Sequence, residues 1–386
     1  MKEILETLPD LISLCQQLVR APSFSGDERH AAEIVARALH DFDFDAITTD
    51  AFGSVIGIRR GARPGKMILL DAHLDVAPIL DRDAWTRDPF GGEIADGKIW
   101  GRGACDDKGA LAAMICAAGN LPRDSFAGQI IISASVCEEN LTGAAFARIF
   151  DHHRADVVII GEPTELQLGV AQKGRAGIAI HTRGKSAHTS RPELGENAMY
   201  KMLDAITRLR AIALPRDPQL GQGILELIEI ASAPMPGTGF VPHACRARFV
   251  ARTLPGESRD LVLARVQNAL VDITGCAVEL EQLAQVCYTG ATLAMDDFIP
   301  GWRVDANDEW LPKMVSALRA AGLPDETFAA PFGTNASVSA ARDIPTFIFG
   351  PGSIAQAHVV DEWIAVDELI AGERSYREII RAVAAS

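Results

Sequence analysis

Glu138 and Glu139 stand side by side in the stretch SASVCEENLTG, residues 133–143. The run that leads into them, QIIISASV, is apolar and β-branched and predicts a buried strand. Two like charges at the mouth of such a strand are expensive to bury, so they either face water or meet a counter-charge. A solvated turn is one reading, since Asn140 and Gly143 follow. Chemistry-bearing residues recur, however, where other apolar runs stop: His73 and Asp75 in DAHLDV, Asp106 and Asp107 in GRGACDDKGA, Glu162 in IIGEPTE, and His358 in GPGSIAQAHVVDE. Imidazole and carboxylate suit a zinc-like divalent cation, and a metal is the usual means of keeping many carboxylates close together. Alone, His73 also fits a satisfied core histidine and Asp106–Asp107 a turn. Their joint recurrence at five strand ends points to one site, because ligands of open α/β sheets bind beyond the carboxyl ends of the strands.

The elements that would position these residues alternate between helix and strand. Amphipathic helices are expected over 1–20 and 28–42, strands over 54–60 and 66–76, and an apolar helix over 109–121. Strands follow over 129–136 and 156–163, all continuously apolar, as in a sheet covered on both faces. From about Lys173 the texture changes: strand 176–184, helix 197–213, strands 224–232 and 243–254, helix 259–273 and strand 276–285. This βαββαβ order predicts a ferredoxin-like α+β unit. After Tyr288 the α/β texture returns, with a helix over 309–322 and an apolar strand over 345–352. The expected organisation is an α/β domain over 1–172 and 289–386, interrupted by an inserted α+β domain over 173–288.

The chain has 386 residues, 48% of them hydrophobic and 23% charged, in keeping with a two-domain globular protein. A formal charge of -14 with no Lys/Arg-rich run argues against nucleic acid or an anionic membrane as partner. The N-terminus lacks the pattern of a signal peptide, and no stretch has the apolar length of a membrane span. Seven scattered cysteines without a CxxC pair favour a reducing compartment, and a cytoplasmic location is expected.

Taken in order, HLDV, GRGACDDKGA, CEE, GEPT and a distant AH followed by DE resemble the co-catalytic zinc hydrolases that include acetylornithine deacetylase, succinyl-diaminopimelate desuccinylase, aminoacylases and related carboxypeptidases. The resemblance spans nearly the whole chain and includes KGR at 173–175 and SAH at 186–188. It implies a zinc-peptidase-like catalytic domain with a ferredoxin-like lid and dimerisation domain. It implies two divalent ions, zinc first with cobalt or manganese also admitted by the ligand set, bridged by Asp106. His73 and Glu162 would complete one ion, and Glu139 and His358 the other. Asp75 would accept the second imidazole N–H of His73, and Glu138 would take the proton of the attacking water. A cis peptide is implied at Asp106–Asp107.

The same resemblance implies that His188 reaches the active site of a partner subunit in a homodimer formed through the inserted domain. Arg252, Thr334, Asn335 and Gly352 would hold a substrate carboxylate. The implied reaction removes an N-acyl group from an amino acid, acetylornithine-deacetylase-like, or cleaves a dipeptide. A binding protein of the same fold that has lost catalysis is the third reading. Departures from the pattern are Gly239 in place of an asparagine, Val250 in place of an aspartate, and GTN in place of GTD or GTE; His243 is a candidate substitute for the asparagine.

Overall fold

A computed structural model describes residues 10–237 and 239–385. Residues 1–9 of the expected first helix lie outside the described residues. Its remainder, α1 (Leu11–Val19), starts where the Asp10 carboxylate accepts the Ser13 N–H at 3.1 Å, and it buries Leu14, Cys15, Leu18 and Val19. Helix α2 (Arg29–Asp41) leads to β1 (Ala46–Thr49), β2 (Val55–Arg60) and β3 (Arg63–His73). Helix α3 (Lys108–Asn120) is buried all round, as its small apolar residues require of a helix without a polar face. Then come β4 (Ala127–Ser135), the short α4 (Glu138–Leu141) and α5 (Ala144–Ile149), β5 (Val157–Ile160) and β6 (Leu168–Gln172).

A second sheet follows, built from β7 (Arg175–Arg183), β8 (Ile224–Ala233), β9 (Ala244–Arg252) and β10 (Cys276–Leu280). Helix α6 (Ala198–Arg210) connects its first two strands and α7 (Arg259–Leu270) its last two. The spatial order β8-β9-β7-β10 is antiparallel throughout. This sheet has its own apolar core, with Ile178, Ile180 and Phe249 packed on Met202, Leu209 and Val266.

The expected last strand over 276–285 divides at Glu281. The Glu281 N–H bonds the Gly177 carbonyl and its carbonyl accepts from Asp297, which ends the ladder. Gln282–Val286 instead forms a hairpin with Thr292–Asp296, and Leu283, Cys287 and Leu293 join the first core. The alternating side chains of 276–285 look the same on either sheet, so the pattern alone does not show the exit.

The chain ends with α8 (Leu311–Ala320), β11 (Thr327–Ala330), α9 (Ala336–Ala340), β12 (Thr346–Ile348) and α10 (Val366–Ala384). The large sheet runs β1-β2-β4-β3-β5-β12-β6, with β11 also on β6. Its centre is parallel: β3 pairs with both β4 and β5, and β12 pairs with β5. The fold is mixed α/β. Because the central strands point the same way, their carboxyl ends open on one edge, and His73, Glu138, Glu139 and Glu162 follow β3, β4 and β5 there. Among the described residues no helix is long and apolar enough to cross a membrane.

Candidate metal centre

The last residue of β3 is His73, buried with its ring directed at the Asp106 carboxylate. Its Nε2 lies 3.0 Å from Asp106 Oδ1. Its Nδ1 lies 2.8 Å from the Asp75 main-chain oxygen, which can only accept; Nδ1 therefore carries a hydrogen. The expected acceptor was the Asp75 carboxylate, but its Oδ1 is 3.7 Å away. That carboxylate is turned to other donors. Oδ1 accepts the Glu138 N–H at 2.9 Å, while Oδ2 accepts the Glu139 N–H at 3.0 Å and the Ser25 hydroxyl at 2.6 Å. Asp75 therefore satisfies the orphan amides at the start of α4 and fixes the pair of glutamates, with Cys137 at φ +58 making the turn.

On the opposite side of Asp106, His358 approaches the other oxygen. Its Nε2 is 3.4 Å from Asp106 Oδ2 and 2.9 Å from Glu139 Oε2. One carboxylate thus offers an oxygen to each of two imidazoles. His73, Asp106 and Glu139 present donor atoms that all lie within 4.8 Å of one another. Glu162 is buried and lines the same cavity as Asp106, Glu138, Glu139 and His358. The Asp106–Asp107 peptide is cis.

Electrostatics show what this crowding requires. Burial, reinforced by Glu139, Asp75 and Asp106, pushes Glu138 up to about 8. Burial and the charges of Asp106, Glu138 and Asp107 hold Glu162 well above the ordinary carboxylate range, and Glu139 is also raised, chiefly by burial. Burial opposes ionisation of Asp106 too, yet hydrogen bonds from His358 and His73 keep its carboxyl far below the usual range. Carboxyl groups that are desolvated, mutually repelling and within reach of two imidazoles fit hard or borderline divalent cations. The donor set present therefore fits the expected ions.

The cavity encloses about 470 Å³, a size suited to a small molecule. Its far wall comes from the second sheet, with Arg252 at the end of β9 and Arg175 at the start of β7. Burial, followed by the charge of Arg175, lowers the Arg252 guanidinium from its ordinary value. Arg175 pairs with the buried Asp297 at 3.0 Å. Arg175 belongs to the KGR motif, and sequence reasoning does not place it in the site; a cation just ahead of the strand expected over 176–184 is its only sequence signal.

Three expected substrate contacts are committed elsewhere. Asn335 is buried, its Nδ2 donating to Asp71 at 2.8 Å and Ser135 at 3.1 Å and its Oδ1 accepting the Gly143 N–H at 2.7 Å. The Thr334 hydroxyl donates to Gln172 Oε1 at 2.8 Å, and the Gly352 N–H donates to Glu368 at 2.9 Å. From these segments Phe332, Gly333, Ile354 and Ala357 line the cavity instead. These polar side chains turn inward because the buried Asp71 and Gln172 need partners that water cannot supply. His188 is exposed, its Nδ1 2.8 Å from the Ser190 hydroxyl, and it does not line the cavity of its own chain. His243 is exposed as well.

Residues 69–382 match the sequence pattern of a family described as peptidase family M20/M25/M40. The chain is 28% identical over 364 residues to the protein YgeY of Escherichia coli (strain K12), covering 92% of this chain and 89% of that one. It is 33% identical over 251 residues to succinyl-diaminopimelate desuccinylase of Cereibacter sphaeroides (strain KD131 / KCTC 12085), covering 62% and 66%. Its fold is similar to that of aminopeptidase PepT from Bacillus cereus ATCC 10987, with a TM-score of 0.76, 21% identity, and coverage of 97% of this chain and 98% of that one.

Proposed function

Since the chain belongs to peptidase family M20/M25/M40 and is a hydrolase of amide bonds, we propose that it removes a short N-acyl group from an amino acid, in the manner of acetylornithine deacetylase. The observation that carries this reading is Asp106 offering one oxygen to His73 and the other to His358, at 3.0 and 3.4 Å, in a cavity shared with Glu138 and Arg252.

In this reading His73, Asp106 and Glu162 hold one divalent cation and Glu139, Asp106 and His358 a second, with zinc the first choice and cobalt or manganese also suited. Such ions, when bound, acidify water and polarise the scissile carbonyl. Glu138 takes the proton of the attacking water as the oxygen–carbon bond forms. It then delivers that proton to the nitrogen as the carbon–nitrogen bond breaks, releasing a carboxylic acid and an amine. The Arg252 fork suits the substrate carboxylate geometrically.

The unit over 173–288 acts as lid and dimer surface, and His188 serves the partner's site. The exposed apolar residues Met199, Tyr200 and Leu203 on α6, with Ile224, Ile228 and Ile230 on the edge strand β8, support a second copy of the chain as the partner. The location that fits this chemistry and the scattered cysteines is cytoplasmic.

Amine release from a panel of N-acyl amino acids and dipeptides, using protein stripped of metal and reloaded with zinc, cobalt or manganese, tests the reading. Metal-dependent turnover of acetyl or succinyl substrates, lost in Glu138→Gln, is expected. Turnover of dipeptides alone would replace it with the dipeptidase reading. Two bound ions without turnover of any substrate would remove the deacylase reading.

A further inference from the structure

Glu362 lies four residues beyond His358 and has no solvent exposure. Its Oε1 accepts two consecutive main-chain N–H groups, those of Cys105 at 2.9 Å and Asp106 at 3.1 Å. Its Oε2 accepts Arg102 Nη1 at 2.6 Å, and Arg102 is itself buried. The Glu362 main chain joins in, its carbonyl accepting the Gly101 N–H at 2.8 Å. The preceding residue is tied down as well: the Asp361 carboxylate accepts the Thr86 N–H at 3.0 Å and the Thr86 hydroxyl at 2.6 Å.

The loop that carries His358 therefore comes back to the turn that carries Asp106 and is fastened to it through one side chain. His358 itself has φ +63 and a mostly exposed side chain, so little of its own packing defines where it stands. Burying a carboxylate beside Asp106 sets like charges close together, and the Arg102 pair has to offset that. An apolar filler would stabilise the same space at lower cost. What the carboxylate alone provides is acceptance of two adjacent amides, which fixes the peptide plane from which the Asp106 side chain projects.

We propose that Glu362 is a positioning residue that sets the distance between Asp106 and His358, and so shapes the second cation site. The proposal rests on the two-cation reading above. It assigns Glu362 no contact with substrate and no part in proton transfer.

The test compares the parent protein with Glu362→Gln and Glu362→Asp. Glutamine retains the size but sets an amide against either the two N–H groups or Arg102, whereas aspartate retains the charge and falls short of the amides. Zinc affinity is measured by chelator competition, cobalt-loaded protein by its visible absorption, and the metal-free proteins by thermal unfolding. Both variants are expected to bind their second equivalent about 10–100-fold more weakly, the effect typical of a residue that orients a metal ligand, with an altered cobalt spectrum. Variants that fold and bind two equivalents with parental affinity and spectrum overturn the proposal. A parent that binds no second ion overturns the two-cation reading instead. If neither variant folds, Arg102→Lys decides. It leaves the carboxylate in place but loses the fork that orients it, so unchanged zinc affinity and cobalt spectrum in that variant would count against the proposal.

Discussion

Asp75 Oδ1 accepts the Glu138 main-chain N–H at 2.9 Å, so the residue two places after β3 orients the first residue after the β4 turn. The partner oxygen holds Glu139, and neither contact requires the two segments to be near in sequence. Replacing Asp75 by asparagine puts an amide NH2 against donors that need an acceptor. The expected result is a fall in kcat with little change in KM, together with about 1–3 kcal/mol lost from folding stability. Steady-state kinetics and urea unfolding read both. Unchanged kcat in a folded variant would show that the caps do not orient Glu138.

Arg252 faces the ligand cluster across the cavity, and among the described residues its guanidinium makes no hydrogen bond or ion pair, although it feels the charges of Arg175 and Asp297. Arg252→Ala is expected to lower kcat/KM for substrates with a free carboxylate by about 10–100-fold, the value of a charge-assisted hydrogen bond of roughly 1.5–3 kcal/mol. Methyl esters of the same substrates should show almost no difference between parent and variant. Equal losses on acid and ester would place the role of Arg252 in folding or lid geometry.

Asn335 joins the buried Asp71 to Gly143 and does not line the cavity. Asn335→Ala should leave Asp71 and the Gly143 amide short of partners and cost about 1–3 kcal/mol of stability. The KM of the folded fraction should stay near the parental value. A large rise in KM without loss of stability would restore the side chain as a substrate contact.

The stability of the metal-free protein should fall as pH rises from about 6 to about 9. Burial, with help from neighbouring charges, moves Glu138 from 4.5 to about 8, so between those values the folded state holds a proton that the unfolded chain has released. His358 acts in the same direction: hydrogen bonds to Asp106 and Glu139 raise it from 6.5 to about 10, an effect screened by its exposure. Its stabilisation is fully present below 6.5 and is lost through about 10. Asp106, whose carboxyl is depressed, contributes only at much lower pH. Divalent cations bind the deprotonated ligands, so saturating zinc should raise the unfolding temperature and flatten or invert the slope. A thermal scan series with and without chelator decides; a metal-free curve that rises toward pH 9 would contradict the assignment.

Much of this protein was legible along the chain. Continuous apolar runs such as QIIISASV mark strands covered on both faces, and a parallel sheet brings their carboxyl ends to one edge. For that reason His73, Glu138, Glu139 and Glu162 group together from the sequence alone. The βαββαβ order of the second sheet was equally readable, because hydrophobic period reports local element type.

Partner choice was decided by the tertiary structure. Asp75 turns its carboxylate to α4 and leaves His73 its carbonyl, Asn335 serves Asp71 and not the cavity, and the strand after Cys276 leaves its sheet at Glu281. Arg175 and Arg252 meet the ligand cluster only when the second sheet stands over the first, and Glu362 reaches Asp106 across 256 positions of chain. The physical reason is common to all of them. Periodicity along a chain records which side chains are withdrawn from water. A buried polar group must then find its hydrogen-bond partner among whatever residues the packed elements bring within about 3 Å, and sequence separation does not encode that distance.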